Sequence, residues 1–137
     1  MLRAETKSRA RALQLLYAWE MQGAPPVPGV ASGLSRLTGP EPRILDRAEE
    51  LAQGVIADVD AIDAAAARAS ENWRMSRIAV VERNILRLAI QELVDGSAPP
   101  KVVIDEAVRL AHWFGGAKAA PFVNGVLDRV AHSLGRL

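Results

Sequence analysis

Asp58, Asp60 and Asp63 are the first place in this chain to look for a cation site or for acid–base chemistry. On a helix only Asp60 and Asp63 share a face, and neither the glycine turn nor the distal bidentate acid of a calcium loop accompanies them. A solvated helix face explains the cluster better. Asp105 and Glu106 are adjacent and diverge, so they suit pairing with Arg109, four and three residues on, rather than work as a general acid and base. His112 and His132 fall on separate helices with no second histidine or acid at metal spacing. Gly29-Val30-Ala31-Ser32-Gly33 misses the spacing of a nucleophile elbow, and no glycine pattern forms a phosphate cradle. The chain has no cysteine, which removes disulfides, thiolate metal sites and cysteine nucleophiles. No catalytic residue, metal site or cofactor is expected, and the chain does not read as an enzyme.

What remains is recognition. Arg3, Lys7 and Arg11 recur at i, i+4 and i+8, a ladder two turns long on one helix face, at a pitch suited to successive phosphates. Arg9 points nearer the packed edge. Phe122 stands at the start of the last helix, where an exposed ring can stack on an unpaired base, and Lys118 just ahead of it can add a phosphate contact. Asn124 and Gly125 interrupt the apolar run Phe122-Val123-Asn124-Gly125-Val126-Leu127. A helix-interior glycine costs about 1 kcal/mol against alanine, so Gly125 reads as a place where another backbone or a ligand comes close. Tyr17 and Trp19 are accounted for by core packing unless a partner covers them, and Glu82-Arg83 by ordinary surface charge.

The net charge of +1 hides an uneven distribution. Residues 1–11 carry Arg3, Lys7, Arg9 and Arg11 against Glu5, a local +3, whereas residues 41–63 carry seven acids against Arg43 and Arg47, a local −5. Such polarity suits oriented binding. With 137 residues, 50% of them apolar and 24% charged, the chain has the size and composition of one soluble domain spanning 1–137. No window reaches the ~18 uninterrupted apolar residues of a membrane span, and the start lacks a signal peptide, which fits a cytoplasmic protein.

The elements that position these residues read as helices throughout, since only 4% of the chain is aromatic and no run alternates with the strand period. A first helix is expected from Ala4 to Gln22, burying Ala12, Leu15, Leu16 and Trp19. Residues 23–42 are crowded with proline and glycine and should form a loop. Arg43 to Ala69 reads as one long helix with Gly54 as a bend or a close-packing point. Trp73 falls in a connection, Ser76 caps the next helix, and Ile78, Val81, Ile85, Leu88 and Leu93 give that helix the broadest apolar face, ended by Asp95-Gly96. It should be central. Pro99-Pro100 opens a helix carrying Val103, Ala107, Leu110, Ala111 and Phe114, closed by Gly115-Gly116, and Pro121 lies in the first turn of the last. Short connections imply antiparallel neighbours in an all-α, single-domain bundle of six or seven helices.

Three segments together resemble the NusB transcription antitermination factors. They are Arg9-Ala10-Arg11-Ala12-Leu13-Gln14-Leu15-Leu16-Tyr17-Ala18-Trp19, then Val81-Glu82-Arg83-Asn84-Ile85-Leu86-Arg87-Leu88-Ala89-Ile90-Gln91-Glu92-Leu93, and finally Lys101-Val102-Val103-Ile104-Asp105-Glu106-Ala107 leading to Phe122-Val123-Asn124-Gly125-Val126-Leu127-Asp128. The resemblance spans the chain apart from the loop at 23–42. It implies an RNA-binding helical protein without a catalytic step. Such a protein pairs with a small-subunit ribosomal protein (NusE), recognises the boxA element of ribosomal RNA leader transcripts, and joins RNA polymerase with other Nus factors. By the resemblance, Arg3, Lys7, Arg9, Arg11, Lys118, Phe122 and Asn124 form the RNA surface. Tyr17, Glu82 and Arg83 form the surface for the ribosomal protein. Some members of the family form homodimers that cover the RNA surface. Two departures stand out: Glu5-Thr6-Lys7-Ser8-Arg9 replaces a denser arginine run, and Ala119-Ala120-Pro121 replaces a more polar approach to the closing motif. A protein-binding helical scaffold and a ribosome-biogenesis accessory domain, neither touching RNA, are the competing readings.

Overall fold

A computed structural model describes residues 3–23, 42–70 and 77–137. Among these residues six α-helices form and no strand does. The chain divides into two units, Met1–Ala57 and Asp58–Leu137.

The first unit pairs α1 (Ala4–Met21) with α2 (Pro42–Ala57). Helix α1 buries Ala12, Leu13, Leu15 and Leu16, the expected stripe, while Trp19 is only half-buried. It also buries Thr6, Ser8 and Arg9, so its inward face is less greasy than its spacing suggests. Helix α2 buries Ala48, Leu51, Ala52 and Val55 at helical period. Arg47 of α2 reaches Glu5 of α1 at 3.3 Å, so the lone acid of the basic arm is paired with an arginine of the acidic block.

The second unit holds α3 (Val59–Ala69), α4 (Val80–Asp95), α5 (Pro100–Phe114) and α6 (Ala119–Ser133). Helix α4 touches the other three and buries every residue from Asn84 to Ile90, as a helix surrounded by neighbours must. Its central place within this unit is as expected. Gly96 ends it in the left-handed conformation, φ 73°, and its N–H donates to the Glu92 carbonyl at 3.0 Å. Pro100 then opens α5.

Long-range hydrogen bonds fix the direction of each helix. The Gly116 N–H after α5 donates to Glu82 Oε1 near the start of α4 at 3.0 Å. Arg136, beyond α6, donates to the Leu93 and Ala98 carbonyls at 2.9 and 3.4 Å, beside the end of α4 and the start of α5. Helices α4, α5 and α6 are therefore successively antiparallel. Cationic Arg136 also meets the carbonyl-rich end of α4, where positive charge is favoured. Arg129 Nε donates to the Ala69 carbonyl and ties α6 to the end of α3.

The strongest polar tie joins α3 to α4. Arg87 Nε and Nη2 each lie 2.8 Å from a different oxygen of Asp63, and Nη1 donates to Asn84 Oδ1 at 3.0 Å. A forked guanidinium matches a carboxylate bidentately, which adds direction as well as attraction. Asp63 is thus a structural anion rather than a solvated one.

Three expectations are corrected. The helix expected from Arg43 to Ala69 is interrupted at Asp58, φ −123° and ψ 24°, which sits at the N-cap of α3; Gly54 stays helical. The Asp58 side chain makes no capping hydrogen bond, while its carbonyl accepts the Ile62 N–H at 3.0 Å and so opens α3; aspartate is a weak helix-interior residue, which suits a break there. Helix α4 starts at Val80 with Ala79 at its N-cap. Phe114 is exposed, at the last residue of α5. Gly125 does not admit a close backbone: a Cβ built on it meets only the Arg129 guanidinium, at 3.9 Å. Residues 24–41, Trp73 and Ser76 lie outside the described residues, as does the serine segment at 29–33.

With nothing to clash, Gly125→Ala should raise stability by about 0.5–1 kcal/mol through helix propensity alone. Thermal unfolding followed by circular dichroism reads this as a rise of a few degrees in Tm. A fall would mean that a neighbour approaches Gly125 more closely than the structure has it.

Candidate nucleic-acid interface

Helix α1 sets its ladder by geometry alone. Four residues of helix rise about 6 Å, so adjacent rungs can reach neighbouring phosphates of one strand. Arg3 and Lys7 are exposed and Arg11 is half-buried, its Nη1 donating to Gln14 Oε1 at 2.9 Å. Glu5 lies in the same first turn but is taken by Arg47, which leaves the face cationic. Arg9 is buried, 5% exposed, and stands apart from the ladder. Tyr17, two turns further along, is 43% exposed, so core packing does not account for it.

In the second unit the turn between α5 and α6 brings together residues that the sequence assigned to different surfaces. Ile78, Ala79, Glu82, Gly116, Lys118 and Phe122 are among the residues lining a pocket of about 440 Å³. Lys118 occupies the N-cap of α6 and is exposed; its carbonyl accepts the Phe122 N–H at 3.4 Å. Phe122 is half-buried in the first turn and Asn124 is exposed, while Val123, Val126 and Leu127 face the core. The closing motif is therefore a core stripe with Asn124 on its outer side.

The turn itself is tightly made. A Cβ on Gly115 would lie 2.6 Å from Ala119 Cβ and 2.8 Å from the Ala111 carbonyl, so no side chain fits there. Glu82 Oε1, accepting from Gly116 N–H, holds the next residue. Arg83 Nη1 donates to the Ile78 carbonyl at 2.8 Å, and both Glu82 and Arg83 are half-buried. Ordinary surface charge is thus not a sufficient account of either. Glu82 and Gly116 are 34 residues apart, beyond the reach of local pairing rules.

The acid and histidine candidates separate as follows. Arg109 meets Glu106 at 3.5 Å, as their spacing implies. His132 lies 3.6 Å from Asp128, both exposed, so an acid one helical turn away does accompany this histidine, contrary to expectation. Among the described residues no group of three side chains is placed to hold a metal ion, and no helix is long and apolar enough to cross a membrane.

One cluster was not singled out from the sequence. Trp113 and Phe114 end α5 with both rings nearly half-exposed, and Arg109 lies over the Trp113 ring. The available signal was the i, i+4 spacing of Arg109 and Trp113 beside the Gly115-Gly116 stop.

These features define a class: a protein that is all-helical among the described residues, with a ladder of cations along α1 and exposed aromatic rings at the end of α5. The chain belongs to the NusB family, whose family model matches residues 6–132. It is 43% identical over 135 residues to the transcription antitermination protein NusB of Sorangium cellulosum (strain So ce56), covering 98% of this chain and 96% of that one. A solved structure of T. maritima NusB superposes with a TM-score of 0.84 at 29% identity, covering 96% and 93% of the two chains. A crystal structure of the antitermination factors NusB and NusE in complex with dsRNA matches at a TM-score of 0.85 and 26% identity, covering 97% and 99%.

Proposed function

We propose that the chain is a cytoplasmic transcription antitermination factor that binds boxA RNA of ribosomal RNA leader transcripts together with the ribosomal protein NusE, and joins RNA polymerase with other Nus factors. The observation that carries the RNA half of this reading is the cationic face of α1, whose first-turn acid, Glu5, is engaged by Arg47. Arg3, Lys7 and Arg11 hold the RNA backbone, and Lys118 adds a fourth phosphate contact. Phe122 and Asn124 meet bases. Exposed Tyr17 serves the ribosomal partner, with Glu82 and Arg83 shaping the second part of that surface. The chain acts as one functional domain with no catalytic step. Relatives at this identity carry the antitermination name, and a solved NusB of the same fold is held with NusE and dsRNA.

The test is a titration of boxA RNA against a scrambled RNA, with and without NusE. Tighter binding to boxA is expected, enhanced by NusE. Equal affinity for both RNAs in the presence of NusE rejects the specific role.

A further inference from the structure

Between Glu106 and Asp128 the chain has no acidic residue, while it carries Arg109, His112 and Lys118 and three of its aromatic side chains, Trp113, Phe114 and Phe122. Trp113 and Phe114 are 45% and 44% exposed. Their rings meet edge to face, centroids 6.3 Å apart at 86°, and the Arg109 guanidinium lies 5.9 Å from the centre of the Trp113 ring. Arg109 is in turn steadied by Glu106, whose side chain is only 12% exposed. Trp113 is thus braced on two sides without being buried. Large aromatic rings left in water need a reason, and every charged side chain that residues 107–127 themselves contribute is basic or a histidine.

We infer that Trp113 is a stacking platform for an unpaired base of single-stranded RNA flanking the recognised element, with Arg109 supplying a phosphate contact beside it. Cations interleaved with aromatic rings, and no acid among them, are what a single strand requires: every base has a face to stack, and every phosphate is negative. The platform adjoins the Gly115-Gly116 turn that leads to Lys118, so the inference rests on the RNA reading above and lengthens the path proposed there. Contact of this kind adds affinity with little preference for base identity.

The test uses the full chain with NusE and compares boxA RNA with the same RNA carrying a short unpaired extension at its 5′ or 3′ end. One extension should tighten binding by about tenfold, the scale of a single base–aromatic stack. Trp113→Ala should abolish that gain, Trp113→Phe should keep most of it, and Arg109→Ala should reduce the salt slope by about 0.7. Circular dichroism of the variants should be unchanged, since the rings are exposed. No gain from either extension, or a full gain in Trp113→Ala, overturns the inference. Loss of NusE affinity in RNA-free titrations of Trp113→Ala, with the extension gain intact, assigns the patch to protein and overturns it as well. If boxA and scrambled cores bind equally, the specific role above falls; the extension gain still reports on Trp113 separately.

Discussion

Replacing Asp63 with alanine should cost the second unit about 4 kcal/mol, and replacing Arg87 with methionine about 3 kcal/mol, the range seen when one member of a buried ion pair is removed. The asymmetry follows from exposure. Arg87 keeps 9% of its side chain in water and Asp63 keeps 25%, so the abandoned carboxylate can rehydrate more readily than the abandoned guanidinium. Either loss is a large share of the ~5–15 kcal/mol by which a domain is stable. Urea unfolding of the single and double variants measures it. The double variant should lose much less than the sum, a coupling of about 2–3 kcal/mol, because each single change already breaks the pair. Additive losses would mean that Asp63 and Arg87 act independently and that the 2.8 Å geometry contributes no coupling. The consequence reaches the candidate interface, since α4 carries both Arg87 and Glu82, and Glu82 holds the turn that presents Lys118 and Trp113.

Which parts of this were legible in the sequence depends on how far apart the interacting residues are. The starts and stops of α5 and the stop of α4 were readable because Pro100, Gly96 and Gly115 act on the backbone locally. The α1 stripe and the centrality of α4 followed from helical period. Asp58 was missed because Val55, Val59 and Ile62 keep nearly the same period across the break, so apolar spacing does not register it. Phe114 has the right phase for the core, but phase says nothing about whether a neighbour extends that far. The Arg87–Asp63 and Glu82–Gly116 ties span 24 and 34 residues and leave no local trace. Gly125 is the opposite case: its misfit was visible, but its cause is not a close contact among the described residues.

Replacing Arg3, Lys7 and Arg11 together with glutamine should weaken boxA binding by about a hundredfold near 0.1 M salt, because each phosphate contact on a single strand contributes a salt exponent of about 0.7. Four contacts, the three rungs and Lys118, set the slope of log affinity against log salt near −3, and the triple variant should leave about −1. Folding should be little affected, since Arg3 and Lys7 are exposed and Arg11 loses only its bond to Gln14. Arg9→Gln separates charge from position. Arg9 is 5% exposed on the same helix, so its removal should lower stability while leaving the salt slope nearly unchanged. Filter or fluorescence titrations across a salt series, with NusE present throughout, supply both slopes. An unchanged slope in the triple variant would leave α1 as a packing element and place RNA affinity elsewhere. A slope that falls equally in Arg9→Gln would mean that net charge, rather than the ordered face of Arg3, Lys7 and Arg11, attracts the RNA.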